Sequence, residues 1–269
     1  MIHYDKIKTD SDDMMENEKK KKKRVLWIIL FAVSFTVLVL SAFFLFMRVF
    51  PFKDSYEKYK KPTEQTEETV DLPDNPIDFD KLKETNADVQ AWITLPGTTI
   101  DYPILQSAAD EEEDFYLNHG IDKKYLFDGC VYIQRWNKND FSDPVTLIYG
   151  HDLANGKMFT PLRKFRKQDF FQQQDTIYIY RPQHVLTYRL YTAFVFDDRH
   201  ILYSYNFDLK DEFQKFLDET LAPKSMVRNV REGVSVTTDD QIIILSTCTN
   251  KEHERYLVGG VLIDDQLTK

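Results

Sequence analysis

The segment "VLWIILFAVSFTVLVLSAFFLFM", Val25 to Met47, runs 23 residues without a charged side chain. A helix rising about 1.5 Å per residue over that length crosses a hydrocarbon core of roughly 30 Å. A buried core helix is the bland alternative, but the run is apolar all round and longer than most core helices. A cleaved signal peptide is the other alternative. The run exceeds the usual length of such an apolar region, and no clean small-x-small cleavage site follows. The run "KKKKKR", Lys19 to Arg24, lies directly before it. Cations flanking a span mark its cytosolic side, so everything after the span is expected outside. The expected organisation is a basic cytosolic tail (1–24), a transmembrane helix (25–47), an acidic, Pro-punctuated extracellular stalk (48–76) and a working domain (77–269).

Formal net charge is −9, which disfavours non-specific nucleic-acid binding. The basic run reads as the flank of a membrane anchor rather than a nucleic-acid patch.

Within 77–269, eight short runs are rich in Val, Ile, Tyr and Thr and bounded by Pro, Gly or Asp. They are "AWITLPG", "DYPILQ", "GCVYIQ", "PVTLIYG", "DTIYIYR", "HVLTYRLYTAFVFDD", "QIIILSTC" and "RYLVGGVLI". Such runs read as strands. "IDFDKLKETNADVQAWI" begins as an amphipathic helix. "DEEEDFYLNHG" reads as a short helix whose acids, Asp110 to Asp114, form a solvated N-terminus rather than a metal site. "DLKDEFQKFLDETLAP" is a longer helix with Phe213, Phe216, Leu217 and Leu221 on one face. Asp208 is expected to cap it and Pro223 to end it. Many strands with few helices imply a mainly β (α+β) domain, a barrel or sandwich.

The chain has two cysteines. Cys130 sits in a strand-like context as a small apolar filler. Cys248 ends an apolar run and enters a polar turn, where a thiol meets solvent. A disulfide between the two is the alternative for an outside-facing domain. A thiol becomes a strong nucleophile as thiolate, which a nearby cation favours. His3 lies in the tail; His119, His184 and His200 sit at strand or helix edges. His151 follows "TLIYG" at a strand end, and His253 is close to Cys248 in sequence. The strand-end position favours His151, with His253 left open. Arg255 opens the next apolar run; its bland reading is an ion pair with Glu252 or Glu254. No Cys/His cluster has zinc spacing and no Gly-rich phosphate loop is present, so no cofactor is expected.

"LIYGH", then "LSTC", then an arginine at a strand start resembles the sortases, membrane-anchored cysteine transpeptidases of Gram-positive bacteria. "NADVQAWITLPGTTIDYPILQ", "FYLNHG", "GCVYIQRWN" and the long helix before the cysteine strand resemble class B of that family. The resemblance covers about Asp80 to Ile263. It implies a closed eight-stranded barrel, with Cys248 as nucleophile, His151 as catalytic histidine and Arg255 as catalytic arginine. Thr247 and Tyr149 are candidate substrate contacts. The family's T-L-x-T-C strand end departs here at its first position, which is Ile244, leaving substrate positioning open. The implied partners are secreted proteins bearing a C-terminal sorting signal and an amine of a peptidoglycan precursor or pilin. A membrane-anchored cysteine protease and an inactive surface-binding barrel are the competing readings.

Overall fold

The computed structural model describes residues 72–249 and 251–269. It also describes 56, 58–61 and, nearer the N-terminus, 27, 30–31 and 34–41. The chain divides into two units, Met1–Ser55 and Tyr56–Lys269. The expected tail, 1–24, and much of the expected span, 25–47, lie outside the described residues. Those of the span that are described are helical. Among the described residues, no helix is long and apolar enough to cross a membrane.

In the second unit the strands are β1 (Val89–Leu95), β2 (Ile100–Gln106), β3 (Val131–Ile133), β4 (Val145–Tyr149), β5 (Thr176–Arg181), β6 (His184–Asp197), β7 (Arg228–Val230), β8 (Ile242–Cys248) and β9 (Glu254–Leu267). Their order is β5-β1-β2-β3-β4-β8-β9-β6, and a β5–β6 pairing closes the ring into an eight-stranded barrel. The three-residue β7 is appended to β6. The eight expected runs are the eight barrel strands. Closure leaves no exposed edge among them.

The pairs β2–β3 and β4–β8 are parallel, and the other pairs are antiparallel. Alternation along β8 sends Ile242 and Ile244 to one face and Ile243 and Leu245 to the other. Both faces are covered, so the run is apolar throughout. On the outer face, Ile242 and Ile244 pack with Val145, Leu147, Leu257 and Val261 under Phe213, Phe216 and Leu217. Those last three come from α4 (Lys210–Leu221), which follows α1 (Phe79–Thr85), α2 (Gln168–Gln173) and α3 (Ile201–Ser204). Each buried side chain of that size contributes about 1.5–3 kcal/mol, which pins α4 across the back of the cysteine strand.

Three local expectations are corrected. Asp208 does not cap α4: its N-cap is Leu209, with no side-chain cap. Instead the Glu212 carboxylate accepts from the backbone N–H of Asn206 at 3.0 Å. The acids 110–114 do not open a helix, since only a 3₁₀ turn, Phe115–Leu117, forms there. Glu113 accepts from the Arg135 backbone N–H at 2.7 Å and Glu111 pairs with Lys123 at 3.1 Å. The stalk expected over 48–76 is partly claimed by the barrel unit. Tyr56 and Tyr59 are buried, Lys60 bridges Ile77 and pairs with Asp101, and the Tyr59 hydroxyl shares a 2.9 Å bond with Thr85. Aromatic side chains spaced through a polar segment gain by docking on an apolar surface.

Candidate active site

Topology brings three strand ends to one rim. β4 and β8 run parallel, so both finish on the same side; β9 runs antiparallel to β8 and therefore starts there. Cys248 is the last residue of β8, and its register partner is Arg255, the second residue of β9. Directly opposed residues of an antiparallel pair project to the same face, with Cβ atoms about 4.5–5.5 Å apart. On the other flank, Tyr149 is opposite Ser246, and the Gly150 N–H donates to the Ser246 carbonyl at 3.2 Å. His151 follows at once, two residues past the end of β4 on the same rim.

Both cysteines are free, Cys248 exposed and Cys130 buried. They are chemically unlike. Burial pushes the Cys130 thiol up to about 12, against which its bond to the Tyr56 hydroxyl acts weakly. That thiol stays protonated and packed. Cys248 has the open position, with Arg255 opposite it in the register. Arg255 holds no ion pair among the described residues. Its Nη1 donates to the Glu254 carbonyl at 3.1 Å, while the Glu254 carboxylate is taken by Lys251 at 3.3 Å. The guanidinium therefore keeps most of its donors for a ligand.

The His151 turn is fastened on both sides. Gly150 is required because a Cβ there would sit 2.7 Å from the fully buried Phe159 ring. The Phe159 N–H donates to the His151 carbonyl at 2.9 Å. Asp152 pairs with Met158 in a bridge and receives Arg163 through Nε at 2.7 Å and Nη2 at 2.5 Å. The imidazole Nε2 lies 2.7 Å from the Leu117 carbonyl, and the ring stacks parallel to Phe127 at 6.3 Å. A carbonyl only accepts, so Nε2 is the protonated nitrogen. Nδ1 has no hydrogen-bond partner among the described residues. His253 instead gives its ring to Asp198 at 2.7 Å and stands out in solvent.

A cleft of about 110 Å³ opens beside Arg255, lined by Tyr149, Asp198, His200, Ser246 and Leu257 among others. An exposed thiol, a guanidinium opposite it and an oriented imidazole in the turn after the adjoining strand suit acyl transfer through a thioester.

The family described as "Sortase domain" matches residues 93–263. The chain belongs to the sortase family. A curated relative, sortase B of Listeria monocytogenes, is 31% identical over 219 residues, covering 78% of this chain and 82% of the relative. The crystal structure of Clostridium perfringens sortase B aligns with a TM-score of 0.62 at 28% identity, covering 69% of this chain and 100% of that one. A sortase B complexed with triglycine aligns with a TM-score of 0.61 at 27% identity, covering 70% and 86%. These likenesses place the sortase in class B, and its general activity is that of a cysteine transpeptidase.

Within this sortase, Tyr149 stands on the cleft face and stacks on Tyr132 at 5.4 Å, and burial raises its hydroxyl pKa. Thr247 does not join the cleft. Alternation turns its side chain to the barrel interior, 2% exposed, where its hydroxyl finds no partner among the described residues. Only its backbone is near the mouth. Ile244 is fully buried beneath α4, one layer below the mouth. Sequence reasoning missed the Leu117 carbonyl, which holds His151, and His200, which walls the cleft. Backbone acceptors carry no sequence signal, and His200 lies in an irregular segment between β6 and α3.

Proposed function

We propose that the enzyme cleaves a C-terminal sorting signal of secreted proteins after a threonine and joins the new carboxyl end to an amine. The observation that carries this is the shared rim: exposed Cys248 opposite Arg255, with His151 two residues past the end of β4, the parallel neighbour of the cysteine strand. Cys248 thiolate attacks the threonine carbonyl, and the carbonyl π electrons move onto oxygen. Free Arg255 N–H groups stabilise that oxyanion or the adjacent substrate backbone. Collapse expels the amine of the next residue, which takes a proton from the His151 imidazolium. Nδ1 is suited to that transfer because Nε2 is committed to Leu117. The acceptor amine then attacks the thioester, returns a proton to His151 and releases the thiolate. A peptidoglycan-precursor amine or a pilin lysine is the acceptor. Support for this half is the sortase B complexed with triglycine, since a glycine chain ends in a primary amine.

The span at 25–47 anchors the enzyme as a single-pass membrane protein, with its N-terminus cytosolic and its catalytic unit outside. Support is the uncharged 23-residue run behind six cations. The catalytic chemistry uses side chains alone, without metal or cofactor.

The test is incubation with a panel of sorting-signal peptides, with and without an amine acceptor, beside Cys248→Ala, followed by mass spectrometry. Cleavage after threonine with ligation to the amine, absent in Cys248→Ala, is the expected result. Cleavage without ligation under every acceptor would identify a protease. No reaction of the whole panel would favour a binding barrel.

A further inference from the structure

Two large aromatic side chains stand out of the surface beside the cleft, Trp136 at 53% and Tyr203 at 63% exposure. They come from separate segments, one after β3 and one on α3, and meet edge to face at 4.7 Å. Single exposed aromatics are ordinary, but a paired set facing one hollow is not. The hollow is a groove of about 500 Å³, lined by Trp136, Asp143, Tyr203, Phe207, Asp208 and Glu212 with their neighbours.

Its charge is one-sided. Three carboxylates line it and no Lys, Arg or His does. Asp143 accepts from Asn137 at 3.0 Å and from the Lys138 backbone, and Lys138 Nζ is 3.7 Å away. Glu212 accepts from Asn206, with Lys215 at 3.9 Å. The Asp208 carboxylate carries no hydrogen bond or ion pair among the described residues. Aromatic faces and an unpaired carboxylate together attract a cation.

The groove neighbours the reaction cleft. His200 and Ile201 line the cleft that holds Arg255, and Tyr203 follows two residues on. The His200 ring lies 4.0 Å from the Tyr203 ring. A peptide held in the cleft therefore has this surface within a few residues of it.

We propose that this groove binds an arginine or lysine side chain of the protein substrate, flanking the segment that enters the cleft. This rests on the transpeptidase reading for the substrate's identity. The side chain lies against Trp136 and Tyr203 and directs its charge to Asp208. Arginine is preferred to lysine, because a planar, weakly hydrated guanidinium stacks better.

The test uses the full-length chain in detergent. The best-cleaved sorting peptide is extended on either side with Arg, Lys, Gln or Glu. One arginine extension is expected to lower KM about three- to thirty-fold relative to Gln, with kcat unchanged. The advantage shrinks with added salt, and Glu is worse than Gln. Trp136→Ala and Asp208→Asn each cut the advantage of the arginine peptide over the Gln peptide. Calorimetric binding to Cys248→Ala ranks the same peptides in the same order without needing turnover. Equal KM and equal affinity across the series would overturn the proposal and leave the transpeptidase intact. So would an arginine advantage that survives Trp136→Ala. Ranked binding without cleavage of any peptide would support the groove and refute the transpeptidase instead.

Discussion

Ile244→Thr restores the family's residue at the one position of its strand-end pattern where this chain departs. The structure predicts that the change harms stability and does not improve catalysis. Ile244 is fully buried in the layer between β8 and α4, against Phe213, Phe216 and Leu217. Its Cδ1 lies 3.2 Å from where a Cβ on Gly259 would stand, so the glycine makes the room that the isoleucine fills. Threonine removes that methyl, which costs about 1 kcal/mol by analogy with Ile→Val. It also buries a hydroxyl in apolar surroundings, about 1–3 kcal/mol more if unpaired. The sum, about 2–4 kcal/mol, is a large share of a domain's ordinary stability. Urea denaturation of a fragment from Tyr56 to Lys269 measures it, with Ile244→Val as the control that isolates the hydroxyl. The predicted Thr–Val difference is about 1–3 kcal/mol, with kcat/KM per folded molecule within twofold for both. A Thr variant as stable as Val, or one with severalfold higher kcat/KM, would refute the packing account of Ile244.

Gly150→Ala drives a Cβ to 2.7 Å from the buried Phe159 ring, so it should cost about 1–3 kcal/mol and displace His151. Denaturation and steady-state kinetics should both fall, and combining it with Phe159→Leu should recover part of each. Burial lowers the His200 pKa below 6.5. A base with a depressed folded pKa contributes stability above its unfolded pKa that is lost as pH falls through the folded one. Chemical denaturation at several pH values should therefore show a decline below about pH 6.5 that is shallower in His200→Gln. The pH dependence of kcat/KM should be bell-shaped, because one form of the reaction needs both a thiolate and an imidazolium. A single-limbed profile would count against that pairing.

All eight barrel strands were legible, since β-branched and aromatic runs between Pro, Gly and Asp leave little alternative. The appended β7 was not: Arg228 to Val230 is short and partly exposed, without an apolar pattern. The helix expected from Ile77 stops at Thr85, because the chain turns extended at Asn86 and β1 begins at Val89. The strand-end positions of Cys248, His151 and Arg255 could be read directly. Their meeting at one rim depends on the parallel β4–β8 pair, which joins strands nearly a hundred residues apart and has no local signature. Thr247 shows the limit of adjacency. It neighbours the thiol in sequence, yet the two-residue period sends it to the opposite face.

The most direct test of the account is intact-protein mass spectrometry of the enzyme mixed with a cleavable sorting peptide and no amine acceptor. The expected result is a mass gain equal to the peptide's acyl portion. Fragmentation should map it to Cys248, hydroxylamine should remove it, and Cys248→Ala should lack it. An adduct on Cys130, or peptide cleavage that persists in Cys248→Ala, would contradict it.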